Sequence, residues 1–263
     1  AVRYGRWLGR PTGKVPALEG VESARARESM ALMRLADPRD RDLSDEELVD
    51  LLDCYGISIA RFESADNRVD VLAAAERVGY PVVLKAFDLS WRHRYDQLGV
   101  RLALADADAV AVAYDELAAD GMGHVYVQVM APRDRATVPT VLAITSDPSF
   151  GALVSFGIGG VATELLDDLA YQAVPLTDVD AADLIDGPKA APLLTGYRGA
   201  AVVDRRAILD LALRLSALSD DLPEVSQLSL QPVLVGPAGT CITSAAGRIG
   251  PPASRPDVRR RLR

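Results

Sequence analysis

Apolar runs of strand length recur along this chain, and between them apolar residues return at helical spacing, so strands and helices are expected to alternate. Pro81-Val82-Val83-Leu84 ends on Lys85, and further strands are expected at Gly99–Leu104, Val125–Met130, Val138–Thr145 and Ala152–Phe156. Ser44-Asp45-Glu46-Glu47 has the form of a capping box. In the helix it opens, Leu48, Leu51, Leu52 and Tyr55 share a face until Gly56. A strand over Ile57–Phe62 and a helix over Asp66–Val78, stopped by Gly79, follow. Helices are also expected at Val21–Leu35, Ala107–Ala119, Asp178–Ile185 and Asp204–Leu218, the last two begun by capping aspartates. Leu228–Val235 and Cys241–Thr243 read as a hairpin about Gly236-Pro237-Ala238-Gly239. The sum is an α+β or α/β protein of two lobes.

Composition narrows the partners. The 263 residues are 49% hydrophobic and 25% charged, a soluble globular balance long enough for one large domain or two lobes. A net charge of −8 gives no broad positive field, so nucleic acid is not an expected partner. The apolar runs fall short of the ~20 residues that cross a bilayer, so no membrane partner is expected. Two cysteines make no disulfide framework and no leader precedes the fold, which makes the cytoplasm the expected compartment. The chain begins at Ala1 and is expected to be a piece of a longer polypeptide, with residues 1–43 a linker arm. Residues 44–126 and 127–250 are expected as the two lobes, and 251–263, with five arginines, as a disordered tail.

Few residues can carry chemistry. His93, His124, Cys54 and Cys241 are too few and too scattered for structural zinc, and no serine sits in a G-x-S-x-G turn. Lys85 either holds a point charge over a bound phosphate or points to solvent from a strand edge. Phe156-Gly157-Ile158-Gly159-Gly160-Val161 either brings backbone amides to an anion or is a tight turn. His93, in Trp91-Arg92-His93-Arg94-Tyr95-Asp96, either relays a phosphoryl group or is a solvated loop residue. Asp167-Asp168 and Asp220-Asp221 suit Mg²⁺ or, more ordinarily, helix ends and surfaces.

The order of segments says more than any one of them. Pro81–Lys85, His93-Arg94-Tyr95-Asp96 with Gly99-Val100-Arg101-Leu102, and Val127-Gln128-Val129-Met130 come first. Asp147–Gly151, Phe156–Val161 with Glu164 and Asp168, Pro175-Leu176-Thr177, Leu193–Gly199 and Gln231–Val235 follow. Together they resemble the ATP-grasp domain of NDP-forming acyl-CoA synthetases over about residues 44 to 250. The nearest likeness is to the C-terminal domain of actinobacterial chains that join a GNAT acetyltransferase domain, a CoA-binding domain and this ATP-grasp domain.

The resemblance implies a two-lobed ATP-grasp fold that makes acyl-CoA from acid, CoA and ATP, through an acyl phosphate and a phosphohistidine. It implies Lys85 on the ATP phosphates, Val127, Gln128, Val129 and Met130 lining the adenine pocket, and His93 as the phosphate-carrying histidine. Gly157, Gly159 and Gly160, with Glu164, would belong to the glycine loop. The family's Mg²⁺-holding Asn and Asp correspond here to Gln231 and Ala246, its Glu after the adenine segment to Pro139, and the Lys after its histidine to Arg94. A methyl group ligates no metal, and phosphoryl transfer leans on metal and positioning. The resemblance thus implies an ATP-binding domain with degenerate metal ligands. The alternative is a catalytically silent, nucleotide-sensing or scaffolding domain of a GNAT-type lysine acetyltransferase, with CoA-binding and acetyltransferase domains as partners in the same chain.

Overall fold

The computed structural model describes residues 11–88, 99–131, 136–160, 166–199 and 201–252. Contacts divide the chain into a larger unit, Ala1–Ile59 with Arg133–Arg263, and a smaller one, Ala60–Pro132. Among the described residues the elements run in this order. The first five are α1 (Ser23–Ala36), β1 (Arg41–Asp42), α2 (Asp45–Asp53), β2 (Phe62–Ala65) and α3 (Arg68–Val78). Next come β3 (Val82–Ala86), β4 (Val100–Leu104), α4 (Ala107–Ala119), β5 (Val125–Val129), β6 (Val138–Asp147), β7 (Gly151–Ile158) and β8 (Leu169–Ala173). The last are α5 (Asp178–Asp186), α6 (Arg205–Asp221), β9 (Val225–Gly236), β10 (Gly239–Ile242) and β11 (Ala245–Ile249), with two 3-10 turns between α5 and α6.

In the smaller unit an antiparallel sheet of order β2-β5-β3-β4 carries α3 and α4 on one face. Val82, Leu84, Ala86, Val125 and Val127 point to the helices and meet Val71, Ala75, Val110 and Leu117, all buried. Period-2 alternation therefore sends Val83, Lys85, Tyr126 and Gln128 to the other face. Asn67 and Asp106 cap the two helices through the amides of Asp70 and Ala109.

In the larger unit the sheet order is β1-β11-β9-β6-β7-β8, with β10 paired to β9. One face packs α1, α2, α5 and α6 through Met30, Leu51, Leu52, Leu184, Leu215 and Leu218 against Leu142, Ile144, Phe156, Leu230 and Val233. Truncating one of these leucines to alanine costs about 2–5 kcal/mol. The capping box is present: Ser44 Oγ accepts from Glu47 N–H, and the Glu47 carboxylate from Ser44 N–H.

The structure departs from the sequence reading at several points. Residues 11–43 are not all an arm, because α1 buries Ala26 and Met30 in the larger core. Asp221 on α6 accepts from Ser23 Oγ at 2.5 Å and Tyr55 Oη at 3.1 Å, and pairs with Arg27. Burial, with Asp221 alongside, pushes the Tyr55 phenol up. Ser44–Ile59 belongs with the larger unit rather than the smaller, and the division after the adenine segment falls at Pro132 rather than at residue 126.

The strand expected over Ile57–Phe62 forms instead at Phe62–Ala65; Ile57 is a buried core residue and Ile59 makes a single bridge to Ile242. Thr177, not Asp178, caps α5, its hydroxyl accepting from Asp180 N–H at 3.1 Å. The short strands β1, β8 and β11 had no apolar run to announce them. No described helix is long and apolar enough to cross a membrane.

Candidate functional site

Lys85 and Gln128 in the smaller unit, and Gly157 in the larger, lie on the sheet face that their unit's helices do not cover. In the smaller unit Lys85, one residue before the end of β3, pairs with Val100 on β4 and Tyr126 on β5. It is half-buried, and alternation along β3 sends its side chain to the face opposite α3 and α4. Beside it runs a row of rings that the sequence reading missed. Phe62 and Tyr126 meet edge to face at 5.1 Å between centroids, Tyr126 and Phe87 are 5.1 Å apart, and Phe87 stacks on His124 at 3.8 Å. His124 Nε2 and Ser64 Oγ lie 2.7 Å apart, within hydrogen-bond distance. The available signal was register: Ser64 and Lys85 both pair with Tyr126, so alternation puts all three on one face.

The expected adenine-lining segment divides by the same alternation. Val127 is fully buried beneath the helices and pairs with Leu84, so its side chain lines no ligand surface, a correction to the sequence reading. Val129 shares that parity. Gln128 lies on the Lys85 face, but its side-chain amide donates to Ala60 O at 2.9 Å. The Val129 and Met130 N–H groups donate to Arg61 O and Pro81 O at 3.2 and 3.0 Å. Met130, next on the Lys85 face by alternation, is half-buried.

The larger unit works by removal of side chains. Gly157 and Ile158 belong to β7 rather than to a turn, and Gly159 and Gly160 follow the strand. Gly157 pairs with Val141 and Leu169, and a Cβ there would lie 2.5 Å from Leu169 Cδ2 and 3.2 Å from Asp168 O. Gly159 donates its N–H to Pro139 O at 2.7 Å, and a Cβ there would meet the Pro139 carbonyl at 3.2–3.3 Å. Gly160 has φ +122° with open space around it. The neighbouring row on this face is Ala246, Ser229, Ala143 and Ser155, paired strand to strand across β11, β9, β6 and β7.

Gln231 sits in a bulge. The β6–β9 register slips between Thr140↔Val233 and Leu142↔Leu230, so Gln231 and Pro232 together oppose Val141. A bulge of this kind re-aims the side chains it contains. Gln231 N–H donates to Ser244 O at 3.0 Å and its side chain is half-exposed. Ala246, on β11, pairs with Ser229.

Asp168 does not stand free beside Gln231 as a substitute metal ligand. Its two carboxylate oxygens accept from Lys189 N–H at 2.9 Å and Ala190 N–H at 3.0 Å, and these bonds hold its carboxyl below the usual range. Asp167, the residue before it, takes φ +48°. Among the described residues no group of three or more His, Cys, Asp or Glu side chains is placed to hold a metal. One amide oxygen and no carboxylate make a poor protein cage for Mg²⁺, which takes near-octahedral oxygen ligands. His93 and Glu164 lie outside the described residues.

A profile of the ATP-grasp domain family matches residues 34–249, and the chain belongs to that family. Within it, the chain is 28% identical over 218 residues to the β subunit of acetate–CoA ligase (ADP-forming) I of Pyrococcus furiosus, covering 80% of this chain and 91% of that one. It is 30% identical over 195 residues to the β subunit of ligase II of the same organism, covering 72% and 83%. The single-chain acetate–CoA ligase (ADP-forming) I of Archaeoglobus fulgidus is 34% identical over 200 residues; that match takes in 73% of this chain but 29% of the ligase.

Among solved structures, the dinucleotide-forming acetyl-coenzyme A synthetase 1 of Candidatus Korarchaeum cryptofilum, with coenzyme A, Ca-AMPCP and HgCl⁺, matches with TM-score 0.74 and 28% identity. That match covers 84% of this chain and 99% of the solved one. The same enzyme with coenzyme A and Mg-AMPPCP, its phosphohistidine segment pointing towards the nucleotide binding site, matches with TM-score 0.71 and 30% identity over 85% and 99%. The chain is thus an ATP-grasp domain homologous to ADP-forming acyl-CoA synthetases.

Proposed function

We propose that this chain is the ATP-binding part of an ADP-forming acid–CoA ligase. Lys85 neutralises the nucleotide's phosphates, and Met130 flanks the base, while Gln128, buried and bonded to Ala60 O, holds the strand beside it. Gly160, with open space around it, and Glu164 lie in the loop that nears the anion, while Gly157 and Gly159 let that loop pack closely on Leu169 and Pro139. His93 carries the phosphoryl group from ATP to the acyl group's site, leaving ADP. The observation that carries the reading is the position of Lys85 on the helix-free face, between Tyr126 on β5 and Val100 on β4. An ammonium group held there serves a phosphate better than it serves packing.

Gln231 would be the β9 side chain with an oxygen to offer a Mg²⁺ that arrives with the nucleotide, where the metal would supply charge neutralisation. The family's Asp position is Ala246, so metal affinity supplied by the chain is weak and turnover is slow. The CoA-binding part of the ligase is a partner subunit or another stretch of a longer chain. The ligase names of the relatives support this reading, and nothing comparable supports a silent domain of an acetyltransferase.

The test is ADP release from ATP, dependent on CoA and a carboxylic acid, by this chain combined with the CoA-binding polypeptide encoded with it. Release that His93→Ala abolishes supports the ligase. ATP binding with no release under any acid supports the silent alternative.

A further inference from the structure

The segment Leu193–Gly199, a motif of the sequence that the proposed function does not use, folds into a loop in the larger unit. Val203 N–H donates to Leu194 O at 3.2 Å and Thr195 bridges Val202, so the two limbs meet and Tyr197-Arg198-Gly199 forms the tip. Leu194 and Val203 anchor it in the core at 1% and 4% exposure. The segment that leads into the loop is tied to the start of β8 through the Lys189 and Ala190 amides, which donate to Asp168.

The tip is strained and its side chains are spent outward. Gly196, Arg198 and Gly199 take φ +86°, +55° and +81°, and Arg198 is one of three described non-glycine residues in that region. Strain of this kind persists only where the surrounding structure enforces it. Arg198 lies over the Tyr197 ring at 5.4 Å, and among the described residues no carboxylate pairs with it, although the chain has 37 of them against 29 cations. Around it Tyr197 is 52% exposed and Val202 62%, with Leu193 also exposed.

Charge adds a direction. Residues 187–206 hold Lys189, Arg198, Arg205 and Arg206 against one acid, Asp204, in a chain of net charge −8. Asp204 is used as the cap of α6, and Arg205 is paired with Asp186. Exposed tyrosine, arginine and aliphatic side chains on a rigid base are the composition of an interface centre.

We infer that the Leu193–Val202 loop is a docking surface for the CoA-binding part of the ligase, where Arg198 meets a carboxylate rimmed by apolar side chains. The inference rests on the proposed function, since the β-subunit relatives are named as parts of larger enzymes and the single-chain relative extends well beyond the matched region.

The experiment titrates the full chain with the CoA-binding polypeptide encoded with it, and separately with ATP. The variants are wild type, Arg198→Glu and Tyr197→Ala. The expected result is association weakened at least tenfold by Arg198→Glu, and less by Tyr197→Ala, with ATP affinity and melting temperature unchanged. Partial recovery of Arg198→Glu when salt is raised from low to physiological strength is expected, because the new repulsion is screened. Association that survives both substitutions undiminished, or no association with wild type, overturns the docking surface. Loss of ATP binding by wild type would instead overturn the proposed function, so the two failures are told apart.

Discussion

The two units solve similar problems by opposite means. The smaller sheet adds side chains to its helix-free face: Lys85, Tyr126 and the rings of Phe62, Phe87 and His124. The larger sheet takes them away, with Gly157 and Gly159 closely covered by neighbours and a row of Ala246, Ser229, Ala143 and Ser155 beside them. A surface built from side chains fails on truncation. A surface built from their absence fails on enlargement.

The largest expected effect is therefore an enlargement. Gly157→Leu would force a side chain into Leu169 and against the Asp168 carbonyl, costing about 1–3 kcal/mol by overpacking. Thermal unfolding measures the loss, and ATP titration of the surviving fold should show weaker binding. An unchanged melting temperature would mean that β8 moves aside freely. In the smaller unit the matching truncation is Lys85→Ala, expected to weaken ATP at least tenfold, ~1.4 kcal/mol, with no loss of melting temperature. If Lys85→Ala instead unfolds the unit, its role is packing and the contrast between the two faces collapses.

A restoring change sharpens the larger unit's account. Gln231→Asn with Ala246→Asp is expected to raise the enhancement of ATP binding by Mg²⁺ several-fold over wild type, read by titration with and without chelator. The Asp168 clamp predicts a local effect. Asp168→Ala should speed hydrogen exchange at the Lys189 and Ala190 amides, both of which donate to its carboxylate. Because those bonds lower its pKa, protection in the wild type should hold above the ordinary carboxylate range and fade as pH falls through the lowered value.

The smallest effect expected is at Glu47, whose carboxyl is lowered chiefly by Arg41 at 2.6 Å. The stability it contributes, ~0.5 kcal/mol for a surface pair, is full above the ordinary carboxylate range and is lost as pH falls through the lowered pKa. Glu47→Gln should therefore be less stable than wild type at neutral pH and equal to it in strong acid.

Much of this was legible before the structure. The capping box at Ser44, the left-handed Gly56 and Gly79, and β3, β5, β6 and β7 follow from local chemistry and apolar period. So did the ATP-grasp fold, through the order of its motifs. What escaped was what only pairing decides. Val127 and Lys85 lie on opposite faces because of cross-strand register, and the ring row joins residues 62, 87, 124 and 126, which no local window brings together. Asp168 stayed open between a metal and an ordinary surface role because the amides that occupy it lie 21 and 22 residues further on. β8 and β11, with Leu169-Ala170-Tyr171-Gln172-Ala173 and Ala245-Ala246-Gly247-Arg248-Ile249, are strands by partnership rather than by propensity.

The most direct test is a calorimetric titration of the full chain with ATP, in Mg²⁺ and in chelator, on wild type and Lys85→Ala. The account predicts saturable binding by wild type, modestly improved by Mg²⁺ and weakened at least tenfold by Lys85→Ala. Equal affinity in the two proteins, or no binding up to millimolar ATP, would contradict it.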